Sequence, residues 1–121
     1  MHYQNENNKE KAISLYEKAV SINESDVISL NNLAWLYYET KNQAAESTAE
    51  KAFNINPNSA AIADTYGWIL LQNEKLQLST KILQKAHNLD PNSKEIGLHL
   101  AQAYESQGKK EEANKVKALY N

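Results

Sequence analysis

The sequence predicts an all-α fold, in which antiparallel helical hairpins stack side by side into an α-α superhelix. Three observations lead there. Columns of matching residues recur every 33 or 34 positions: Ala12, Ala45, Ser79 and Ala113; Ala19, Ala52, Ala86 and Tyr120; Tyr3, Tyr37, Leu70 and Tyr104. A fixed period of this length marks a stacked repeat. Each period holds two helix-length segments joined by a polar turn. Two prolines and three glycines leave few strand-and-turn signals, while alanine, leucine, lysine, glutamate and glutamine favour helix.

In chain order, the first helix is expected near 8–22, with Ile13, Tyr16 and Val20 on an apolar side that the incomplete first repeat leaves exposed. The second, near 26–40, carries LNNLAWLYYE and ends in the polar turn TKNQ. The third, near 43–54, reads AAESTAEKAFNI, apolar at i, i+3/i+4 and i+7. Proline after Asn56 stops it, because the residue before a proline avoids the helical region. Asn58 or Ser59 then offers an N-cap oxygen to the fourth helix, 59–73, which carries TYGWILLQ. After the turn NEK, LSTKILQKAHNL forms the fifth helix near 75–88 and ends before Pro91. Asn92 or Ser93 caps the sixth, 93–107, and Asn92 with Glu95 has the spacing of a capping box. The seventh, 110–120, keeps Lys109, Lys110, Lys115 and Lys117 on or near a solvated face, as a terminal cap requires.

These elements divide the chain into repeats at 1–26, 27–59, 60–93 and 94–121, read as a single domain. Tyr3 aligns with Tyr37 and Tyr104, so Met1 falls midway through the first helix of a repeat. The expectation is a fragment of a longer array; the alternative is a natural start on a lone capping helix.

Several function classes lose support. A net charge of −2 gives no basic footprint for nucleic acid. No cysteine is present, which removes disulfides and thiolate metal sites. No segment is apolar enough for membrane insertion, and the polar start MHYQNENNKEK has no signal-peptide core. His2, His87 and His99 lie in different repeats without metal-ligand spacing, so no metal and no cofactor are expected. No serine sits in a nucleophile elbow, and no glycine loop suits phosphate. Glu46 with Glu50, and Glu111 with Glu112, read as solvated helix faces. The chain is not expected to be an enzyme.

The first helix of each hairpin should line the concave side of the stack. Its core positions are Leu33, Ala34 and Tyr37 and their equivalents, which leaves the adjoining face for a partner. The expected partner-binding residues are Asn31, Asn32, Trp35 and Tyr38, then Asp64, Thr65, Trp68 and Leu71, then Leu98, His99 and Gln102. Trp35 and Trp68 share one column, 33 positions apart. Indoles beside asparagines offer contact area and amides that pair with a peptide backbone. The same rings could stack on sugars, or pack between hairpins and only stabilise the array.

The pattern resembles the tetratricopeptide repeat, a 34-residue helix–turn–helix written W-x2-L-G-x2-Y, A-x3-F, A and P. Ala63 to Leu70 reads ADTYGWIL, followed by Ser79, Leu83, Ala86 and Pro91; Leu100, Ala101, Tyr104 and Ala113 repeat it. Leu30, Ala63 and Gly97 replace the opening tryptophan of the pattern. The resemblance covers essentially the whole chain and implies a scaffold for a protein or peptide partner. LNNLAW and DTYGWILL are also similar to the C-terminal repeats of bacterial TPR lipoproteins of exopolysaccharide export and the exosortase (PEP-CTERM) system. That likeness implies an export or polysaccharide-assembly role, periplasmic or outer-membrane-associated; otherwise the cytoplasm is the expectation. Family members that grip acidic chaperone tails use a basic clamp, and of Asn32, Glu95 and His99 only Asn32 suits it. A spacer or self-association role through the first, incomplete repeat is the structural alternative.

The small columns carry a direct prediction. Ala34, Gly67 and Ala101 face Ala45, Ser79 and Ala113 across the hairpins, so Ala45→Leu or Gly67→Leu should overpack the contact. Each should lower stability in chemical denaturation by about 1–3 kcal/mol.

Overall fold

The structure is a computed structural model that describes residues 6–121. Among them are seven helices and no strand: α1 (Glu6–Ile22), α2 (Val27–Glu39), α3 (Ala45–Ile55), α4 (Ala60–Gln72), α5 (Leu76–Leu89), α6 (Lys94–Ser106) and α7 (Lys110–Ala118). Tyr3, and with it the expected start of the chain midway through a repeat's first helix, lies outside the described residues. Contacts gather into two compact units, Met1–Asn56 and Pro57–Asn121.

In the first unit α1 packs on α2 and α2 on α3. Asp26 caps α2, its carboxylate accepting from the Ser29 amide. Leu30, Leu33, Ala34, Leu36 and Tyr37 of α2 are buried, with Ala45, Ala49 and Ala52 of α3. Ile13, Tyr16 and Val20 are half-buried rather than exposed. The expectation that they form an open apolar side is corrected, because α1 lies against α2 and the Tyr16 hydroxyl accepts from the Asn32 amide at 3.3 Å. The aliphatic side chains that α1 leaves exposed are Leu15 and Ile22.

In the second unit α4 pairs with α5, α6 with α7, and α5 joins the two hairpins. Leu71, Leu83, Leu100, Ala101, Ala103, Ala113 and Val116 form its core, with Trp68, Tyr104 and Tyr120 packed against it. Asn56 and Asp90, each before a proline, take extended conformations and end α3 and α5. Ser59 and Ser93 supply the caps, their hydroxyls accepting from the Ile62 and Ile96 amides at 3.2 Å. With Ser93 as cap, the box drawn from Asn92 to Glu95 is out of register by one residue, and Glu95 is left exposed.

The crossing of α4 and α5 shows why the small columns matter. The buried Ser79 hydroxyl donates to the Gly67 carbonyl at 2.7 Å. A Cβ on Gly67 would lie 2.6 Å from Leu83 Cγ. The turns repeat as closely. Lys41, Glu74 and Gly108 have positive φ, and each following amide reaches back to Tyr37, Leu70 or Tyr104. This is the left-handed helix stop, and only Gly108 meets it without steric cost.

Two tyrosines tie hairpins laterally. In the first unit the Tyr37 hydroxyl donates to the Glu17 carboxylate at 2.5 Å. In the second, Tyr104 donates to the Gln84 side-chain oxygen at 2.8 Å. Tyr37 and Tyr104 share a column, so α1 serves α2 as α5 serves α6.

Two predictions come from this packing. A Cβ on Gly97 would fall 2.2 Å from the Tyr120 ring, which is held by hydrogen bonds to the Pro91 carbonyl and His87. Gly97→Ala should therefore cost about 1–3 kcal/mol in chemical denaturation. In a Tyr120→Ala background the same change should stabilise by about 0.5–1 kcal/mol, as alanine normally does in a helix. Separately, burial, and then the Glu17 carboxylate, push the Tyr37 phenol up from 10.0 to about 12. Raising the folded pKa favours the neutral phenol, so this contribution is complete below the unfolded value and lost as pH rises through the folded one. Denaturation from about pH 9 to about pH 12 should show falling stability, with a smaller fall in Tyr37→Phe.

Candidate partner-binding faces

Residues four apart on a helix share a face, and the first helices of the hairpins use this spacing outside the core. In the first unit, α2 buries Leu33, Leu36 and Tyr37, leaving Asn31, Asn32, Trp35 and Tyr38 half-buried. Trp35 and Tyr38 lie with ring centroids 5.1 Å apart, tilted by 49°. Asn32 is engaged with Tyr16, while the Asn31 Oδ1 is buried without a hydrogen-bond partner. The result is an aromatic pair flanked by amides.

In the second unit α4 and α6 touch, and both present polar residues at i and i+4. Asp64 and Trp68 come from α4, Glu95 and His99 from α6. His99 Nδ1 lies 2.8 Å from the Asp64 carboxylate, and its ring sits 4.3 Å from the Trp68 ring at 31°. The carboxylate accepts, so the imidazole proton of this bond sits on Nδ1. The side chains of His99 and Asp64 are 16% and 14% exposed, which holds the pair largely out of water. Ligand atoms of Asp64, Glu95 and His99 all lie within 4.8 Å of one another. The Trp68 indole nitrogen is buried without a hydrogen-bond partner.

Of the other residues expected on this face, Leu98 and Gln102 are exposed, with Leu98 at 41%. Thr65 and Leu71 are placed differently from the expectation. Thr65 is buried, its hydroxyl turned back on the Ala61 carbonyl at 3.1 Å. Leu71 joins Leu83 and Leu100 in the core, because its position on α4 points it into the hairpin rather than at the open face. Glu95, weighed in the sequence only as a cap and as an obstacle to acidic tails, proves to be a neighbour of His99. Its one detectable signal is the four-residue spacing from His99.

Comparison with known proteins fits this architecture. Residues 2–26 match the tetratricopeptide repeat family. Among solved structures, a crystal structure of MamA superimposes with a TM-score of 0.83 at 21% identity, covering 91% of this chain and 65% of that one. MamA from Desulfovibrio magneticus RS-1 gives 0.83 at 17% identity, covering 93% and 64%. The first TPR domain of human RPAP3 gives 0.78 at 22% identity, covering 88% and 84%. The chain thus spans just under two thirds of the MamA chains it matches. No curated protein matches the sequence. The fold is an all-α helical repeat of the tetratricopeptide type. Among the described residues, no helix is long and apolar enough to cross a membrane.

Proposed function

We propose that this chain is a non-catalytic interaction scaffold whose first-helix faces each take a stretch of an extended partner protein. One observation carries the reading. Among the described residues, the buried side-chain polar atoms left without a hydrogen bond are the Asn31 oxygen and the Trp68 nitrogen. Both belong to the faces read from the sequence as partner-binding, one in each unit. An unpaired buried polar group costs about 1–3 kcal/mol, so each atom gains if its side chain turns to a polar group of a partner. Trp35, half-buried and paired with Tyr38, suits recognition better than it suits stacking alone.

The two faces differ in what they select. On α2, Trp35 and Tyr38 favour apolar side chains between backbone amides. On α4 and α6, the carboxylates of Asp64 and Glu95 beside Trp68 and His99 disfavour an acidic segment and suit a cationic one. A role within a bacterial export or polysaccharide-assembly system rests only on the resemblance of the LNNLAW and DTYGWILL segments to bacterial TPR lipoproteins. Self-association is the second reading, favoured by the exposure of Leu15 at 69% and Ile22 at 77% on α1.

Position-specific photo-crosslinking tests the scaffold. A crosslinking residue in place of Trp35 or Leu98 should trap partner peptides, whereas one in place of Lys51 or Lys81 on the second helices should not. Equal trapping at all four positions, or trapping only from the second helices, would refute the assignment of these faces.

A further inference from the structure

We propose that Asp64, Glu95 and His99 form a three-donor site for a divalent transition-metal ion of the zinc class. The cluster is built around an imidazole and is more than a patch of acids. Glu95 and His99 are one turn apart on α6, so both project from the same strip of helix. Asp64 reaches across from α4, which touches α6. The helices are fixed from below. Ile96 and Leu100 bury the inner side of α6, and Ala63 and Gly67 that of α4, so the donors stand on rigid supports.

The chemistry of the set suits such an ion. One nitrogen and two oxygens are ligands that zinc, cobalt and nickel accept, and two carboxylates balance the charge of a divalent cation. Bonds of about 2.0–2.2 Å place tetrahedral donors about 3.4 Å apart. The three ligand atoms already lie within 4.8 Å of one another, and Asp64 and His99 are 2.8 Å apart. Binding therefore asks for side-chain rotation alone: the Asp64–His99 hydrogen bond opens slightly and the exposed Glu95 is drawn inward. If Nδ1 is the ligand, its proton moves to Nε2, giving the tautomer that coordinates. Trp68 stacked on the ring limits how far the imidazole can swing and shields one side from water. A fourth position stays open for water or for a donor from a partner. The inference rests on this cluster and not on the scaffold reading, and a bound cation would offset the negative charge by which this face selects a cationic segment.

Trp68 also supplies the readout. In a tag-free, chelator-treated Trp35→Phe chain it is the one remaining tryptophan, 4.3 Å from the His99 ring. Cobalt(II) should quench its fluorescence saturably at one equivalent, and zinc(II) should relieve the quench by competition. His99→Ala, Asp64→Asn and Glu95→Gln should each weaken binding by about tenfold or more, as loss of metal-site partners does. His87→Ala should leave it unchanged. Glu95 is exposed, so Glu95→Gln keeps the test decisive even if the His99 variant loses helicity. Quenching that never saturates, or affinity unchanged in Glu95→Gln, would overturn the three-donor site.

Discussion

The structure depends on how closely two helices of a hairpin can approach. In the second unit that approach is set at Gly67, where the Leu83 backbone nitrogen would lie 3.3 Å from an added Cβ and its side chain nearer still. Ser79 turns this tight crossing into a bond, donating to the Gly67 carbonyl from a fully buried position. A side-chain donor meeting a backbone acceptor there avoids the cost of a buried hydroxyl, and it fixes the height at which α5 lies along α4. The corresponding small residues, Ala34, Ala45, Ala101 and Ala113, are all buried. Large residues are then forced to the flanks, and the flanks of the first helices are where the candidate faces lie.

That constraint has a counterpart at the end of the chain. The column holding Leu30 and Ala63 holds Gly97 in the last repeat, and the column holding Ala19, Ala52 and Ala86 holds Tyr120. Volume has been exchanged between the columns. The Tyr120 ring occupies the space over Gly97, and its hydroxyl reaches the Pro91 carbonyl at 2.8 Å. A residue that departs from the repeat on one helix is thus explained by a departure on its neighbour, which is what close packing demands.

Much of this was legible in the sequence because the repeat states each decision several times. Pro57 and Pro91 ended helices as expected, and the alternation of helix and turn located all seven elements to within about two residues. What was less legible falls under three physical headings. Caps were ambiguous where two capable residues adjoin: Asn58 with Ser59, and Asn92 with Ser93, differ by one residue in register, and only backbone geometry selects the serine. Burial was ambiguous at the edge of the apolar stripe. Thr65 and Leu71 sit beside core columns, and a helix face offset by one residue, about 100°, changes which neighbour they meet. The left-handed turn positions carry Lys41 and Glu74, so composition gave no sign of them, and glycine marks only the third.

Of the Asp64–Glu95–His99 cluster only the four-residue spacing of Glu95 and His99 was legible, and the rest was hidden for a reason general to helical repeats. Ligand spacing is ordinarily sought within one element, where donors fall three or four apart. Here the pairs fall across two repeats: Asp64 with Glu95 and Trp68 with His99 are separated by 31 positions, and Asp64 with His99 by 35. Those separations are the 34-residue period less three and plus one, and they differ by four, a single helical turn. Here α4 and α6 touch, and Asp64 meets two residues one turn apart on α6, Glu95 and His99. Chemistry in a stacked repeat is therefore written at offsets around the period. A histidine that looks isolated within its own repeat has partners there.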